Sequence, residues 1–272
     1  MADKKDHASL PTITHVIAQL LDRGAVGVVV TVLRGPATGA KLLIDEHNDV
    51  TGSLGNSELD ALVKTHAEEF LKSHHETRMI AVSDFAPQFP LAGELSLLFE
   101  RLQPAPRLVV CGAGHVGAAL AKLATFLGYQ TTLIDDRAEF LERSRFPEEQ
   151  IELVVTDDWE TAVRDAIGNG RGVSVAVVTR GHNEDERCMQ AVIPANPDYA
   201  GLIGSKRRTS IVIERLREKG ATAEQLKKIH APIGLDIGAI SPEEVALAII
   251  AEIVAVRRDA SGGSLSAWRR KS

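Results

Sequence analysis

The stretch RLVVCGAGHVG, residues 107–117, decides the fold of the larger part of this 272-residue chain. Its first five residues predict a buried strand, and the apolar run Ala118–Leu127 predicts a helix behind it. Between them, the spacing of Gly112, Gly114 and Gly117 permits a tight turn, the approach of a pyrophosphate to the backbone, and close packing of helix on strand. The start of such a helix also presents free N–H groups and a positive dipole end to an anion. The stretch therefore predicts a Rossmann-like turn that binds a nucleotide. The alternative is a turn of the same fold that binds another ligand or none.

Acidic residues follow the next predicted strand, Thr131–Ile134, about twenty residues after the glycines, where a dinucleotide-binding fold has its ribose-binding carboxylate. We expect Asp135 to bind the ribose diol, with Asp136 as its competitor. A carboxylate at this point favours a free 2′-hydroxyl over a 2′-phosphate, although Arg137 weakens the preference. The alternative is a solvated turn. His115, inside the glycine turn, is either a donor to the ligand or a loop histidine bonded to the backbone.

Strands and helices alternate after the glycine turn, which indicates a parallel sheet. The further strands are expected at Leu153–Val155, Val173–Val178 and Tyr199–Ile203, and the further helices at Trp159–Ile167, Arg207–Lys219 and Glu243–Arg257. The preceding region predicts helices at Thr12–Arg23 and Glu58–His74 and strands at Val26–Leu33, Lys41–Asp45 and Met79–Val82, the first two strands forming a hairpin. The predicted class is α/β, with a C-terminal Rossmann-like parallel-sheet domain and a smaller N-terminal α+β domain.

Prolines cluster in Phe85–Pro106, where they flank a short apolar piece, Leu95–Leu102. Because proline removes a backbone donor and biases its neighbour toward extended conformations, such clusters separate folding units. We therefore expect an N-terminal domain over residues 1–103 and a Rossmann-like domain over residues 104–272. The polar residues 1–9 are expected to be a frayed terminus, and the glycine- and serine-rich residues 260–272 a mobile tail.

The composition excludes several classes of protein. Lys and Arg number 31 against 37 Asp and Glu, and aromatic residues make up 4%, so neither the net charge of −6 nor the aromatic content suits nucleic-acid binding. The two cysteines, Cys111 and Cys188, provide neither a disulfide framework nor a structural zinc cluster. Apolar stretches such as Val26–Leu33 and Val245–Ile253 are too short or too interrupted to span a bilayer. We expect a cytoplasmic protein.

Two basic segments follow later strands. In an open parallel sheet, ligands bind beyond the carboxyl ends of the strands, so Arg180 and His182 are expected near the glycine turn. Arg180 can bind a phosphate through two parallel hydrogen bonds, and His182 can donate to an anion, with Asp185 orienting its ring. The alternative is a polar loop without a ligand.

The second segment is the predicted start of a helix, where Ser205 is a good N-cap and Lys206, Arg207 and Arg208 follow. Cations in the first turn oppose the helix dipole, so their presence suggests an anion site. The alternative is that these long side chains extend into water. Both segments therefore predict an anion site at the same edge of the sheet.

The last predicted helix begins with Ser241-Pro242-Glu243-Glu244, which is typical of a capping box with proline at the first helical position. The helix behind it is apolar on more than one face and is interrupted only by Glu252. It must be buried in the core or against another subunit, and we expect a homodimer. No set of nucleophile, base and orienting residue is recognisable, and the sequence His74-His75-Glu76 is best explained as a solvated helix end.

Four segments together resemble the xanthine dehydrogenase accessory protein family, of the XdhC/CoxI type. They are PRL with its strand and GAGHV (residues 106–116), VTRGH with Asp185 (178–182), YAGLIGSKR (199–207), and PIGLDIGA running into SPEEVA (232–246). Their order and spacing are similar to those of the family over residues 104–258. The N-terminal loop Gly52–Asp60 also resembles a family loop, but Asn56 and Ser57 replace glycines and Asp60 replaces a glutamate, and Gly35–Ala40 lacks the Ser-x-Pro-Arg of many members. These changes predict altered ligand chemistry if the loop contacts the cofactor.

The resemblance implies a maturation chaperone for molybdenum hydroxylases. Such a protein binds the molybdenum cofactor, assists its sulfuration by a cysteine desulfurase, and delivers it to xanthine dehydrogenase or a related client enzyme. It has no turnover chemistry of its own. Two alternatives remain: an NAD(P)-dependent oxidoreductase, although no Tyr-Lys or His-Asp pair accompanies the glycine turn, and a nucleotide-sensing regulatory protein.

Overall fold

The computed structural model describes residues 13–73 and 75–266. The chain divides into two compact units, one up to Pro104 and one from Ala105. The predicted frayed terminus (residues 1–9), His74 and the end of the predicted tail (residues 267–272) lie outside the described residues. None of the helices in the described ranges has the length and apolarity needed to cross a membrane.

The N-terminal unit is a five-stranded antiparallel sheet with helices on both faces. In chain order its elements are α1 (Ile13–Asp22), β1 (Gly27–Arg34), β2 (Lys41–Asp45), β3 (Val50–Ser53), α2 (Ser57–Lys72), β4 (Thr77–Ala81), α3 (Val82–Phe85), a 3-10 turn (Ala92–Glu94) and β5 (Ser96–Leu102). The strand order is β3-β2-β1-β5-β4. Alternate residues of β1 pack in two directions: Val28 and Val30 join the core that includes α2, whereas Val29 packs with Leu20 of α1.

Two strands of this unit differ from the sequence prediction. The piece assigned to the proline-rich boundary is β5, which pairs with β1 and β4 and buries Leu97 and Phe99 completely. Its prolines lie outside the strand, so they end the element without interrupting its hydrogen bonds. The predicted hairpin of β1 and β2 is confirmed, and the turn at His47–Asp49 leads into β3, which the sequence analysis did not identify as a strand.

The C-terminal unit is a six-stranded sheet in which every pair of neighbouring strands is parallel. Its elements are β6 (Arg107–Cys111), α4 (His115–Phe126), β7 (Gln130–Asp135), two 3-10 turns (Ala138–Phe140 and Arg143–Arg145), β8 (Ile151–Val155), α5 (Trp159–Ile167), β9 (Val173–Val177), α6 (His182–Ala195), β10 (Tyr199–Leu202), α7 (Lys206–Glu218), α8 (Ala223–Lys227), β11 (Ile229–His230) and α9 (Pro242–Arg257). The sequence patterns gave no bounds for α6 and did not predict α8 or β11.

The strand order β11-β10-β9-β6-β7-β8 is that of a doubly wound Rossmann sheet, and it confirms the predicted fold class. Helices α4 and α9 pack on one face of the sheet, and α5, α6, α7 and α8 pack on the other. The strand order reverses between β6 and β9, and a crevice at such a reversal is where ligands bind in this fold. The glycine turn after β6 lies at that point.

Candidate functional site

The three glycines of the turn have different physical reasons for being glycine. Gly112 has φ +111°, and a Cβ there would lie 2.7 Å from the carbonyl oxygen of Val178. A Cβ on Gly117 would lie 1.8 Å from the carbonyl oxygen of Gly112. Gly114 has φ −63°, and a Cβ there would meet nothing within 4 Å. Gly112 and Gly117 are therefore required by the packing of the protein itself, whereas Gly114 leaves open space at the start of α4.

Asp135 connects the glycine turn to the end of β7. Its carboxylate accepts hydrogen bonds from the backbone N–H of Ala113 at 2.6 Å and from Arg137 Nε and Nη2 at 2.8 and 3.0 Å. Burial raises the pKa of this carboxyl, but the hydrogen bonds from Arg137 and Ala113 lower it further than burial raises it. The side chain is 1% exposed. The expected ribose partner is thus already occupied by protein donors.

Asp136 is the more accessible of the two acids. Its Oδ2 lies 2.9 Å from Nη2 of Arg180, which follows β9, and its Oδ1 lies 3.6 Å from Nε of Arg137. Burial and the neighbouring carboxylate of Asp135 raise the pKa of Asp136, against the opposing effect of Arg180. Because β6 lies between β7 and β9, this ion pair crosses the carboxyl end of β6.

The remaining predicted residues lie at the starts of three helices that follow neighbouring strands. His115 is the first residue of α4, His182 the first of α6, and Lys206 the first of α7, and all three are exposed. Ser205 caps α7 by accepting a hydrogen bond from the backbone N–H of Arg208 at 3.3 Å. The strands that lead into these helices, β6, β9 and β10, are adjacent. The fold therefore brings these residues to one edge of the sheet.

Asp185 does not orient His182 as expected. It is completely buried and accepts hydrogen bonds from the Thr179 hydroxyl at 2.5 Å and from Arg208 Nε at 3.0 Å. Burial raises the pKa of Asp185 despite these partners. Arg208 also donates to the carbonyl of Thr179, so it holds the loop after β9. The prediction failed because Arg208, 23 residues away, reaches the carboxylate through the fold.

Within the described residues, Lys206 and Arg207 form no ion pair, in contrast to Arg208. Both side chains are exposed at the start of α7. Of the three cations at the start of this helix, Arg208 therefore has a structural role, whereas Lys206 and Arg207 are available to bind a ligand.

A polar cluster that the sequence analysis missed lies beneath the loop between β11 and α9. Glu252 accepts hydrogen bonds from the Tyr199 hydroxyl and from the backbone N–H of Gly234 at 2.9 Å, and its Oε1 lies 3.3 Å from Nδ1 of His230. Burial and the bond to Glu252 raise the pKa of Tyr199. The signal was Glu252 itself, the single acidic residue of α9 after the capping box. The cluster fixes the loop that leads into that helix.

The cysteines and the altered N-terminal loop have structural roles. Cys111 and Cys188 are both buried, and burial raises the pKa of the Cys188 thiol. Asn56 caps α2 by accepting from the backbone N–H groups of Glu58 and Leu59. Asp60 accepts from the hydroxyl of Ser53 at 2.7 Å and from the backbone N–H of Leu54 at 2.8 Å. No group of three or more His, Cys, Asp or Glu in the described ranges is arranged to hold a metal ion.

The doubly wound sheet and its glycine turn define a Rossmann-type domain. The family model described as the XdhC Rossmann domain matches residues 108–253, which is more than half of the chain. The chain belongs to this XdhC family, and the resemblance found in the sequence is confirmed.

Three curated relatives are similar to the chain. The uncharacterized protein YqeB of Escherichia coli K12 is 30% identical over 84% of this chain and 42% of its own length. A protein of Bacillus subtilis 168 described as a probable xanthine dehydrogenase subunit is 28% identical over 60% and 46%. The molybdenum cofactor insertion chaperone PaoD of E. coli K12 is 26% identical over 57% and 41%. The aligned region is thus less than half the length of each relative.

A solved structure has the same fold. The crystal structure of a protein described as a xanthine dehydrogenase from Bacillus halodurans superposes with a TM-score of 0.66 at 19% identity. The superposition covers 90% of this chain and 66% of that one. Both units of the present chain are therefore represented in a known architecture.

Proposed function

We propose that this protein is a maturation factor that binds the molybdenum cofactor and transfers it to a molybdenum enzyme. Membership of the XdhC family supports the proposal, as do the relatives described as a molybdenum cofactor insertion chaperone and as a probable xanthine dehydrogenase subunit. The observation that carries it is the open space at Gly114, at the start of α4, on the edge of the sheet where exposed basic residues follow the adjacent strands β9 and β10.

The donors at this edge of the sheet fit the phosphate of the cofactor. Backbone N–H groups at the start of α4 and the dipole of that helix favour a dianion there. Arg180 adds a guanidinium that can make two parallel hydrogen bonds, and His182 adds a ring N–H donor. Lys206 and Arg207 supply positive charge one strand further on. The bound cofactor would bring the molybdenum centre, while these residues bind and orient its phosphate side.

We further propose that sulfuration of the cofactor depends on a partner cysteine desulfurase and that the client is a molybdenum hydroxylase of the xanthine dehydrogenase kind. The burial of both cysteines supports a sulfur donor on another protein, because neither thiol is accessible to a cofactor. Burial also raises the pKa of the Cys188 thiol, which makes it a poor nucleophile. The name of the B. subtilis relative supports the choice of client.

A nicotinamide dinucleotide is the competing ligand, for an oxidoreductase or a nucleotide sensor. The strand order and the accessible carboxylate of Asp136 favour it, because a pyrophosphate and a ribose could bind there. The hydrogen bonds of Asp135 disfavour a dinucleotide. Both oxygens of this carboxylate, the expected ribose partner, already accept from Ala113 or Arg137, and the side chain is buried.

Anaerobic equilibrium dialysis against the molybdenum cofactor and, separately, against NAD distinguishes the two ligands. We expect the cofactor to bind stoichiometrically and Gly114→Val to weaken its binding at least about tenfold, because the side chain fills the space the phosphate needs. Gly93→Val, at another glycine with no neighbour near its missing Cβ, is the matched control and leaves binding unchanged. Stoichiometric NAD binding without cofactor binding would overturn the proposal.

A further inference from the structure

The ion pair between Asp136 and Arg180 lies across the site proposed for the phosphate. Strands in a sheet are about 4.8 Å apart, so the ends of β7 and β9, separated by β6, are about 10 Å apart. The two side chains close this gap to an N···O distance of 2.9 Å. The glycine turn leaves the sheet between them, at the end of β6. A ligand phosphate at the turn is thus beside the guanidinium that Asp136 already holds.

Arg180 is the main cation available to Asp136. Arg137 lies 3.6 Å from Asp136, but its Nε and Nη2 donate to Asp135. Asp135 adds a second carboxylate next to Asp136, and Glu184 lies 4.0 Å from Nε of Arg180. Three acids therefore surround two arginines. Burial and the neighbouring carboxylate of Asp135 raise the pKa of Asp136. Asp136 accepts from one guanidinium, whereas Asp135 also accepts from the backbone N–H of Ala113, so Asp136 is the carboxylate with fewer partners to lose.

The start of α4 has no side-chain cap of its own. Gly114 occupies the N-cap position and supplies no side-chain acceptor, so the first N–H groups of the helix donate to no capping side chain. An anion at this point would satisfy those donors and would also lie next to Arg180. The site thus has donors for an anion, while its guanidinium is engaged by an internal carboxylate.

We propose that Asp136 is a specificity-determining residue that competes with the ligand for Arg180. The inference rests on the proposed anion site. The carboxylate of Asp136 holds the guanidinium of Arg180 across the glycine turn. The ligand binds by displacing this carboxylate from the guanidinium. A phosphate monoester dianion displaces it, because two charges and three oxygens bind a guanidinium and a helix start more strongly than one carboxylate does. Carboxylate ligands gain nothing from the exchange.

The direction in which Asp136→Asn changes ligand affinity distinguishes this role from ribose binding. If Asp136 competes with the ligand, Asp136→Asn tightens binding of a phosphate ligand about fivefold, the size expected when an exposed ion pair no longer has to be broken. If Asp136 binds a ribose instead, the same change weakens binding of a nucleotide and leaves binding of inorganic pyrophosphate unchanged. Arg180→Gln weakens phosphate binding about tenfold. In the Arg180→Gln background, Asp136→Asn has no further effect, because there is no guanidinium to release.

The experiment is isothermal titration of the full-length protein with inorganic pyrophosphate and, anaerobically, with the molybdenum cofactor. The proteins are wild type, the two single variants, the double variant, and Glu184→Gln as matched control. Glu184 also lies near Arg180 but does not cross the turn, and at 4.0 Å from Nε it makes no hydrogen bond to the guanidinium, so its neutralisation should change affinity less than about twofold. Circular dichroism melts establish that all five proteins are folded.

Each outcome decides the inference. Tightening by Asp136→Asn that depends on Arg180 supports it. It is overturned if the variant binds either probe more weakly, if tightening persists without Arg180, if Glu184→Gln tightens binding equally, or if neither probe binds wild type or Asp136→Asn. Pyrophosphate binding with the expected pattern but no cofactor binding would support the inference while overturning the proposed function. Cofactor binding that is unaffected by Asp136→Asn would support the proposed function and overturn the inference.

Discussion

The carboxylate of Asp135 fixes the start of the glycine turn, because it accepts a hydrogen bond from the backbone N–H of Ala113 at 2.6 Å. The same carboxylate binds the guanidinium of Arg137, so the turn and the end of β7 are held together by one buried charge. Its neighbour Asp136 contacts Arg180 on the other side of β6. Two adjacent acids of the same type therefore have different roles, one in the scaffold and one at the site.

At the residue scale we predict that Asp135→Asn lowers the free energy of unfolding by about 2 kcal/mol at pH 7, since it removes the charge of a buried, hydrogen-bonded pair. The folded-state pKa of Asp135 is lowered, so its stabilisation is present above the unfolded pKa and is lost as the pH falls through the folded pKa. Urea unfolding should therefore show the difference from wild type shrinking below about pH 4. Asp165→Asn, on the exposed side of α5, should show neither effect.

At the scale of elements, β5 and α2 support each other in the N-terminal unit. Arg101 of β5 donates to the carbonyl oxygens of Phe70 and Leu71 at 3.0 and 2.8 Å, and to that of Ser73. These carbonyls belong to the end of α2 and the residue that caps it. A cation that binds the last carbonyls of a helix also complements its dipole. Strand β5, which the proline-rich sequence did not predict, therefore supplies the side chain that binds the end of α2.

We predict that Arg101→Gln destabilises the N-terminal unit by about 2 kcal/mol, because the shorter side chain leaves several carbonyls at the end of α2 without their donor. Thermal unfolding followed by circular dichroism measures the loss. Arg78→Gln, on the exposed edge strand β4, removes the same charge and should change the melting temperature little. Equal losses from both variants would contradict a specific role for Arg101.

A second element-scale contact positions the loop before α9. Glu252 binds the Tyr199 hydroxyl on β10 and the backbone N–H of Gly234 in that loop. The apolar remainder of α9 buries Ile249 and Ile253 in the core. The acidic residue is tolerated in this helix because its oxygens have partners, as a buried carboxylate requires.

At the scale of the whole molecule, every residue proposed to bind the cofactor lies between Gly112 and Arg207, within the unit that begins at Ala105. The core accounts for most of the apolar surface of α9, but Leu247 is 51% exposed. It lines a groove of about 580 Å³ with Ala118, Ala119 and Leu123 of α4. The same groove is also lined by polar and charged residues: His115, Lys122, Arg145, Glu243 and Glu244. We propose that the expected homodimer forms through this surface.

Sedimentation velocity should show a species with the mass of two chains. Leu247→Glu is expected to weaken the dimer at least about tenfold, because it introduces a charge into the apolar part of the contact. Val155→Glu on the edge strand β8, where the valine is 55% exposed, is the control and should leave the dimer intact. A wild-type protein that sediments as a single chain would disprove the proposal.

The turn and the class of fold were predictable because they depend on neighbours in the chain. The spacing of Gly112, Gly114 and Gly117 is a local backbone requirement, and the capping box of Ser241 and Glu244 spans four residues. Strand β5 was not recognised, because its place in the sheet depends on pairing with β1, which precedes it by more than sixty residues. The roles of the acids near the site were not predictable for the same reason.

By itself the sequence determined the strand, turn and helix around Gly112–Gly117, the alternation that builds a parallel sheet, and the family. Only the tertiary structure decided which charges are engaged and which are available. Arg208 is used by Asp185 across 23 residues, and Arg180 meets Asp136 across 44. Asp185 and Arg208 lie on helices that follow the neighbouring strands β9 and β10, whereas Asp136 and Arg180 follow β7 and β9, which are separated by β6 alone. Local propensity fixes the elements, whereas strand order fixes which side chains come within hydrogen-bonding distance.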